Sequence, residues 1–216
     1  MREDKYHIPY ESLEDYEKAK KLRLEGNYDS ARLITERLLE KHPEHPKLWN
    51  TLGSISFSEG DYKKAEGFFL KAIAYGPGIA LIYSNLSRTY GVLGDLDRSA
   101  KYARRAIRAD PTLSTAWNTL GLYYIDKGQI EIAVDYFVAA CLCGEEDLES
   151  AFNAACALCE LGETDDALHY LEISLREEFF YNYALKDETL EPLRGLAEYE
   201  LLIAEAAERF NKVKNR

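Results

Sequence analysis

The chain has 216 residues, 46% of them hydrophobic, and a formal net charge of −11. That supplies ample material for a core, and no run of 18 or more apolar residues stands out as a membrane span. An acidic chain of this kind is not an expected partner of nucleic acid, because phosphate binding needs a basic surface.

The charge is unevenly spread. Residues 1–113 hold 19 Lys and Arg against 17 Asp and Glu, while residues 114–216 hold 8 against 21. One reading is a solvated acidic surface that aids solubility. The other is a molecule whose two ends prefer different partners. The first twenty residues are charged throughout and lack the apolar core of a secretory signal, so a cytoplasmic location is expected.

Residues 1–11 form a polar lead with Tyr6, His7, Pro9 and Tyr10. The sequence leaves open whether the lead is flexible or packs on the first helix. Apolar spacing of three and four then predicts helices at 13–25, 29–41, 46–59, 62–75, 80–93, 96–109, 114–127, 130–143, 148–161 and 164–177. Gly26, Gly60, Gly94, Gly128 and Gly162 end the first helix of each pair, where positive φ is usual. Asn27, Asp61 and Asp95 follow three of them and suit turns. Pro43, Pro77 and Pro111 stop second helices. After Glu178 the chain turns aromatic, then turn-like, with a brief helix ending at Gly195. Leu196 to Lys212 reads as a last amphipathic helix with Leu196, Tyr199, Leu202, Ile203, Ala206 and Phe210 on one stripe.

The clearest stretch is 114–140. It carries Trp117, Leu120-Gly121, Tyr124, Gly128, Ala133, Phe137 and Ala140. Small residues at Gly121, Ala133 and Ala140 let two helices approach closely. The pattern returns at 34-residue steps as Tyr83, Leu86-Ser87, Tyr90, Gly94, Ser99, Ala103 and Ala106, and as Trp49, Leu52-Gly53, Gly60, Ala65, Phe69 and Ala72. Weaker copies are Ala19, Leu22, Gly26 and Ala31, and Ala155, Leu158, Gly162 and Ala167. A 34-residue period of this kind resembles the tetratricopeptide repeat. The departures are Leu38, where a small residue is usual, and Glu145 and Phe179 in place of the closing proline.

The resemblance implies an all-α fold, a right-handed α-solenoid of about five helix-turn-helix units with a C-terminal capping helix. The expected units are 12–45, 46–79, 80–113, 114–147 and 148–181, with a helical cap over 182–216. The last helix could instead serve binding or dimerisation. The family's ligands meet the first helix of each unit on its concave side. Carried over by register, that places Leu13, Tyr16, Glu17, Lys20 and Arg23 there, then Lys47, Asn50, Thr51, Ser54 and Phe57. Leu81, Ser84, Asn85 and Arg88 follow, then Thr115, Asn118, Thr119, Leu122 and Asp126, and finally Glu149, Phe152, Asn153, Cys156 and Glu160.

The expected peptide-binding groove is Lys47, Asn50, Ser54, Asn85, Arg88, Asn118, Leu122 and Asn153. Asn50, Asn85, Asn118 and Asn153 recur once per unit, and an amide can both donate to and accept from a peptide backbone. The alternative is that these amides bond neighbouring helices and fix the stack. Some family members hold a chaperone's terminal carboxylate with Lys, Asn and Arg residues. Here Asn50, Ser54, Asn85, Thr115 and Thr119 stand at those places, so a chaperone-tail adaptor is not expected.

Cys141, Cys143, Cys156 and Cys159 form C-x-C…C-x-x-C. Read as metal or redox chemistry this gives a sensor; read by register they are small buried apolar residues. No Ser/His/Asp set, phosphate-cradling Gly-rich loop or paired metal-binding His stands out. The expected function is therefore a non-catalytic protein-interaction adaptor or scaffold without cofactor or resident metal, binding an extended peptide segment or a helix of a protein partner in the concave groove. The alternative is a homo-oligomer built through Phe179–Tyr183 and the last helix.

Overall fold

A computed structural model describes residues 6–143 and 147–214. Glu145 lies outside the described residues, as does the start of the polar lead. Among the described residues there are twelve α-helices, one 3-10 helix and no strand. The chain divides into two compact units, residues 1–110 and 111–216.

The first unit holds α1 (Tyr10–Leu24), α2 (Tyr28–Lys41), α3 (Pro46–Ser58), α4 (Tyr62–Tyr75), α5 (Ala80–Val92) and α6 (Leu96–Ala109). They pack as successive pairs, and the first helices of neighbouring pairs also touch. Helix α1 starts three residues earlier than the sequence pattern suggests, with Pro9 ahead of it. Ile8 explains this: it is buried with Leu38, Leu48 and Leu52, which draws the end of the lead onto the unit. The His45 ring lies 3.2 Å from the His7 carbonyl, and Ser12 bonds the His42 ring at 3.0 Å.

The second unit holds α7 (Ser114–Asp126), α8 (Ile130–Leu142), α9 (Leu148–Leu161) and α10 (Thr164–Ser174), again in pairs. Then the period stops. Helix α11 (Glu178–Ala184), a 3-10 helix (Glu188–Leu193) and α12 (Ala197–Lys214) follow. The aromatic stretch expected to lead into a turn is thus a helix, and the 181/182 border falls inside it.

Local chemistry sets the tight turns. Gly60 has φ +84°, which only glycine enters without strain. The turn lets the Asp61 N–H reach the Ser56 carbonyl at 2.9 Å. The same six-residue closure joins Asn27 to Leu22, Asp95 to Tyr90, Gln129 to Tyr124 and Glu163 to Leu158, at 2.8–3.0 Å. The next helix is capped at once: Asn27, Asp61 and Asp95 side chains accept from the N–H of Ser30, Lys64 and Arg98. The two tryptophans pin the loops before their helices. Trp49 donates to the Pro43 carbonyl at 2.7 Å, and Trp117 to the Pro111 carbonyl at 2.8 Å.

Side-chain size is matched within pairs. A Cβ built on Gly53 would lie 2.5 Å from the Phe69 ring, and one on Gly121 would lie 2.3 Å from Phe137. The small residues therefore make room for a ring rather than only for a backbone. The middle pair uses a different solution at the same register. Ser87 stands for glycine and Ala103 for phenylalanine, and Ser87 and Ser99 each donate a hydroxyl to the other's carbonyl at 2.8 and 2.9 Å.

Candidate functional site

Each unit has its own hollow. In the first it encloses about 590 Å³ between α1, α3 and α5, walled also by Tyr28, Tyr62 and Phe69. Asn50, Ser54, Asn85 and Arg88 line it together with Tyr16, Lys20 and Arg23. Lys47 lines an adjoining hollow of about 320 Å³ with Glu17, Lys20 and Asn50. The one-turn spacing of these residues along α1, α3 and α5 puts them on one side of each helix.

The lining of the larger hollow holds three cations and no carboxylate. Lys20 pairs with Glu17 at 3.0 Å. The Arg88 guanidinium lies 5.0 Å from the Phe57 ring centre, a cation–π distance. Asn85 donates its side-chain N–H to the Asn50 carbonyl oxygen at 2.9 Å. Both amides are half-buried and line the hollow, and this bond engages the Asn85 NH₂ and the Asn50 oxygen.

In the second unit the hollow encloses about 570 Å³ and is lined by Leu122, Asn153 and Phe152 among others. Asn153 donates to the Asn118 oxygen at 2.9 Å, repeating the Asn85–Asn50 bond. Asn118 departs from the expected groove amide. It is only 7% exposed, its oxygen accepts from Asn153, and its NH₂ donates to Glu149 at 3.3 Å. Both ends of the amide are engaged by side chains of α9, so Asn118 ties neighbouring helices. Leu122 is half exposed, at 47%.

The residues that sequence reasoning missed come from outside the period. Phe179, Phe180 and Tyr183 of α11, with Asp187 and Thr189, form one wall of the second hollow. Only the aromatic density of 179–183 signalled them.

Burial pushes the Cys141 and Cys159 thiols up to about 11 and Cys156 to about 12. Cys159 is 3% exposed. Cys143 donates toward the Pro111 carbonyl at 3.2 Å. Among the described residues no three His, Cys, Asp or Glu side chains converge on a metal position. Because the thiolate is the reactive form, these three thiols are expected to react slowly with a disulfide reagent at pH 8 and fast in denaturant. Below pH about 8.5 they are neutral in both states; above it the unfolded chain ionises first, so stability falls as pH rises toward the folded values. A native-state titration as fast as the denatured one would contradict this environment.

Paired helices stacked in register, with hollows lined by their first helices, define a helical-repeat protein. The family model for the tetratricopeptide repeat matches residues 16–78 and 85–146, and the chain belongs to that family. Superkiller complex protein 3 of Homo sapiens is 28% identical over 155 residues, covering 69% of this chain and 10% of its own length. Cell division cycle protein 16 homolog of Homo sapiens is 27% identical over 126 residues, covering 54% of this chain and 20% of its own. The chain thus spans a tenth to a fifth of these curated relatives. Among solved structures, PilW, a type IV pilus biogenesis factor, superposes with TM-score 0.75 at 19% identity, covering 94% of this chain and 96% of that one. That likeness is one of fold.

Proposed function

We propose that the chain is a non-catalytic interaction scaffold, and that the hollow of its first unit receives an extended peptide segment carrying acidic groups. The observation that carries this is the lining: Lys20, Arg23 and Arg88 without a carboxylate, beside the Asn50–Asn85 amide pair. A carboxylate entering there gains charge-assisted bonds, and a peptide backbone finds both a donor and an acceptor. Phe57 and Tyr16 offer apolar faces for adjoining side chains. Two curated relatives bear the names of complex components, the superkiller complex and the anaphase-promoting complex, which fits a scaffold role.

The test is fluorescence anisotropy with a labelled peptide ending in aspartates and a free carboxylate, against the same peptide with lysines. The Arg23→Glu/Arg88→Glu double variant is expected to bind the acidic peptide about tenfold or more weakly. Equal affinity for both proteins would remove the proposal. A second reading, self-association, is favoured by the exposure of Phe179 (61%), Tyr183 (54%) and Leu201 (60%). It requires a mass that rises with concentration in light scattering.

A further inference from the structure

The second unit's hollow has the opposite electrostatic character. Glu149, Glu160 and Asp187 line it, and no Lys or Arg does. The surrounding chain strengthens the sign, since residues 114–216 carry 21 acidic residues against 8 basic ones. The same lining carries four aromatic rings in contact with one another. Phe152 stacks on Phe180 at 5.6 Å and meets Tyr183 edge-on at 5.6 Å; Phe179 stacks on Tyr183 at 6.0 Å. Phe179 and Tyr183 are both more than half exposed, so apolar ring surface is open to solvent beside fixed negative charge.

We infer that this hollow is a second docking site, for a partner segment in which an arginine or lysine stands beside a bulky apolar side chain. This rests on the scaffold reading but not on the ligand of the first hollow. Ring faces carry negative charge density and attract cations, most strongly a guanidinium that can also reach a carboxylate. Glu160 is exposed and has no ion pair among the described residues, which leaves it available to such a cation. Leu122, Ile125 and the rings receive the apolar neighbour. A volume of about 570 Å³ accommodates a few side chains rather than a domain. An acidic segment would meet three carboxylates and no lining Lys or Arg, so the two hollows select opposite ligands. The wall that makes this site belongs to α11, which breaks the repeat period.

The experiment titrates the full chain against a fluorescein-labelled twelve-residue peptide with a Leu between two Arg residues. One control replaces both Arg by Glu and another replaces Leu by Ser. The Arg/Leu peptide is expected to bind saturably, with the Glu control about tenfold weaker and the Ser control about fivefold weaker. Glu160→Arg and Phe179→Ser, both at exposed positions, should each weaken it about fivefold or more, whereas Arg23→Glu/Arg88→Glu should leave it unchanged. Equal affinity for the Glu control, or indifference to both Glu160→Arg and Phe179→Ser, overturns the inference. So does a concentration-dependent dimer lost in Phe179→Ser, which would make a second copy the occupant. The acidic peptide reports on the first hollow separately, so either reading can fail while the other stands.

Discussion

Replacing Phe137 by Ala is expected to cost about 3–5 kcal/mol of unfolding free energy, and replacing Gly121 by Ala about 1–3 kcal/mol. Phe137 is 1% exposed, so its truncation leaves a void. Gly121 fails for the opposite reason. Its new methyl would sit 2.3 Å from the same ring, so the ring has to leave its packed position. The informative result is the double variant. Once the ring is gone, the methyl enters empty space, and alanine is the better helix former by about 1 kcal/mol. Gly121→Ala should therefore change sign and stabilise the Phe137→Ala background. The middle pair of the chain supplies a precedent, with Ser87 and Ala103 at the register of Gly121 and Phe137. Urea unfolding of the four proteins by circular dichroism gives the coupling. Strict additivity would show that ring and glycine do not share the space.

Deletion of residues 197–216 is expected to have the largest effect on the second unit. Helix α12 buries Tyr199 and Ala206 and lays Leu202, Ile203 and Phe210 against a cluster that includes Leu171, Leu175, Leu190 and Leu193. Fully burying one such side chain contributes roughly 1.5–3 kcal/mol, so several together approach the ~5–15 kcal/mol that holds a whole domain. Polar contacts reinforce the seat: the Tyr199 hydroxyl donates to the Ala184 carbonyl at 3.4 Å and Arg209 to the Leu175 carbonyl at 3.3 Å. Without α12 the end of the repeat stack would present leucines to water. The truncated chain should melt more than about 10 °C lower, in a broad transition. Leu201→Ser, on the exposed side of the same helix, should stay within about 0.5 kcal/mol of the parent. A truncated chain that melts like the full one would show that α12 is a passenger.

The hollows need both kinds of stability. The first is built on α1, α3 and α5, so its cations depend on the pairing that Gly53 and Phe69 set. The second takes a wall from α11, which rests on α9 and α12. A substitution that loosens α12 would also blur the aromatic wall, which is why Glu160→Arg, outside that packing, is the cleaner probe.

Most of the helices could be read from the chain itself. Their ends fall close to the predicted ones because turn chemistry is local: a glycine at positive φ, an Asp or Asn cap, a proline that cannot continue. The 34-residue register of small and aromatic residues could likewise be read along the chain, because it joins helices that follow one another directly, and so could the family it marks. The amides were another matter. Asn50 and Asn85 lie 35 residues apart, as do Asn118 and Asn153, and which atoms face a partner depends on how one helix is rotated against the next. That rotation is set by how one pair packs on the next, so sequence spacing showed the row of amides but not their mutual bonds. Helix α11 was hidden for a related reason. Seven residues make too short a helix to declare itself by periodicity, and it forms because Phe180, Tyr181 and Ala184 find the core of the second unit to pack against.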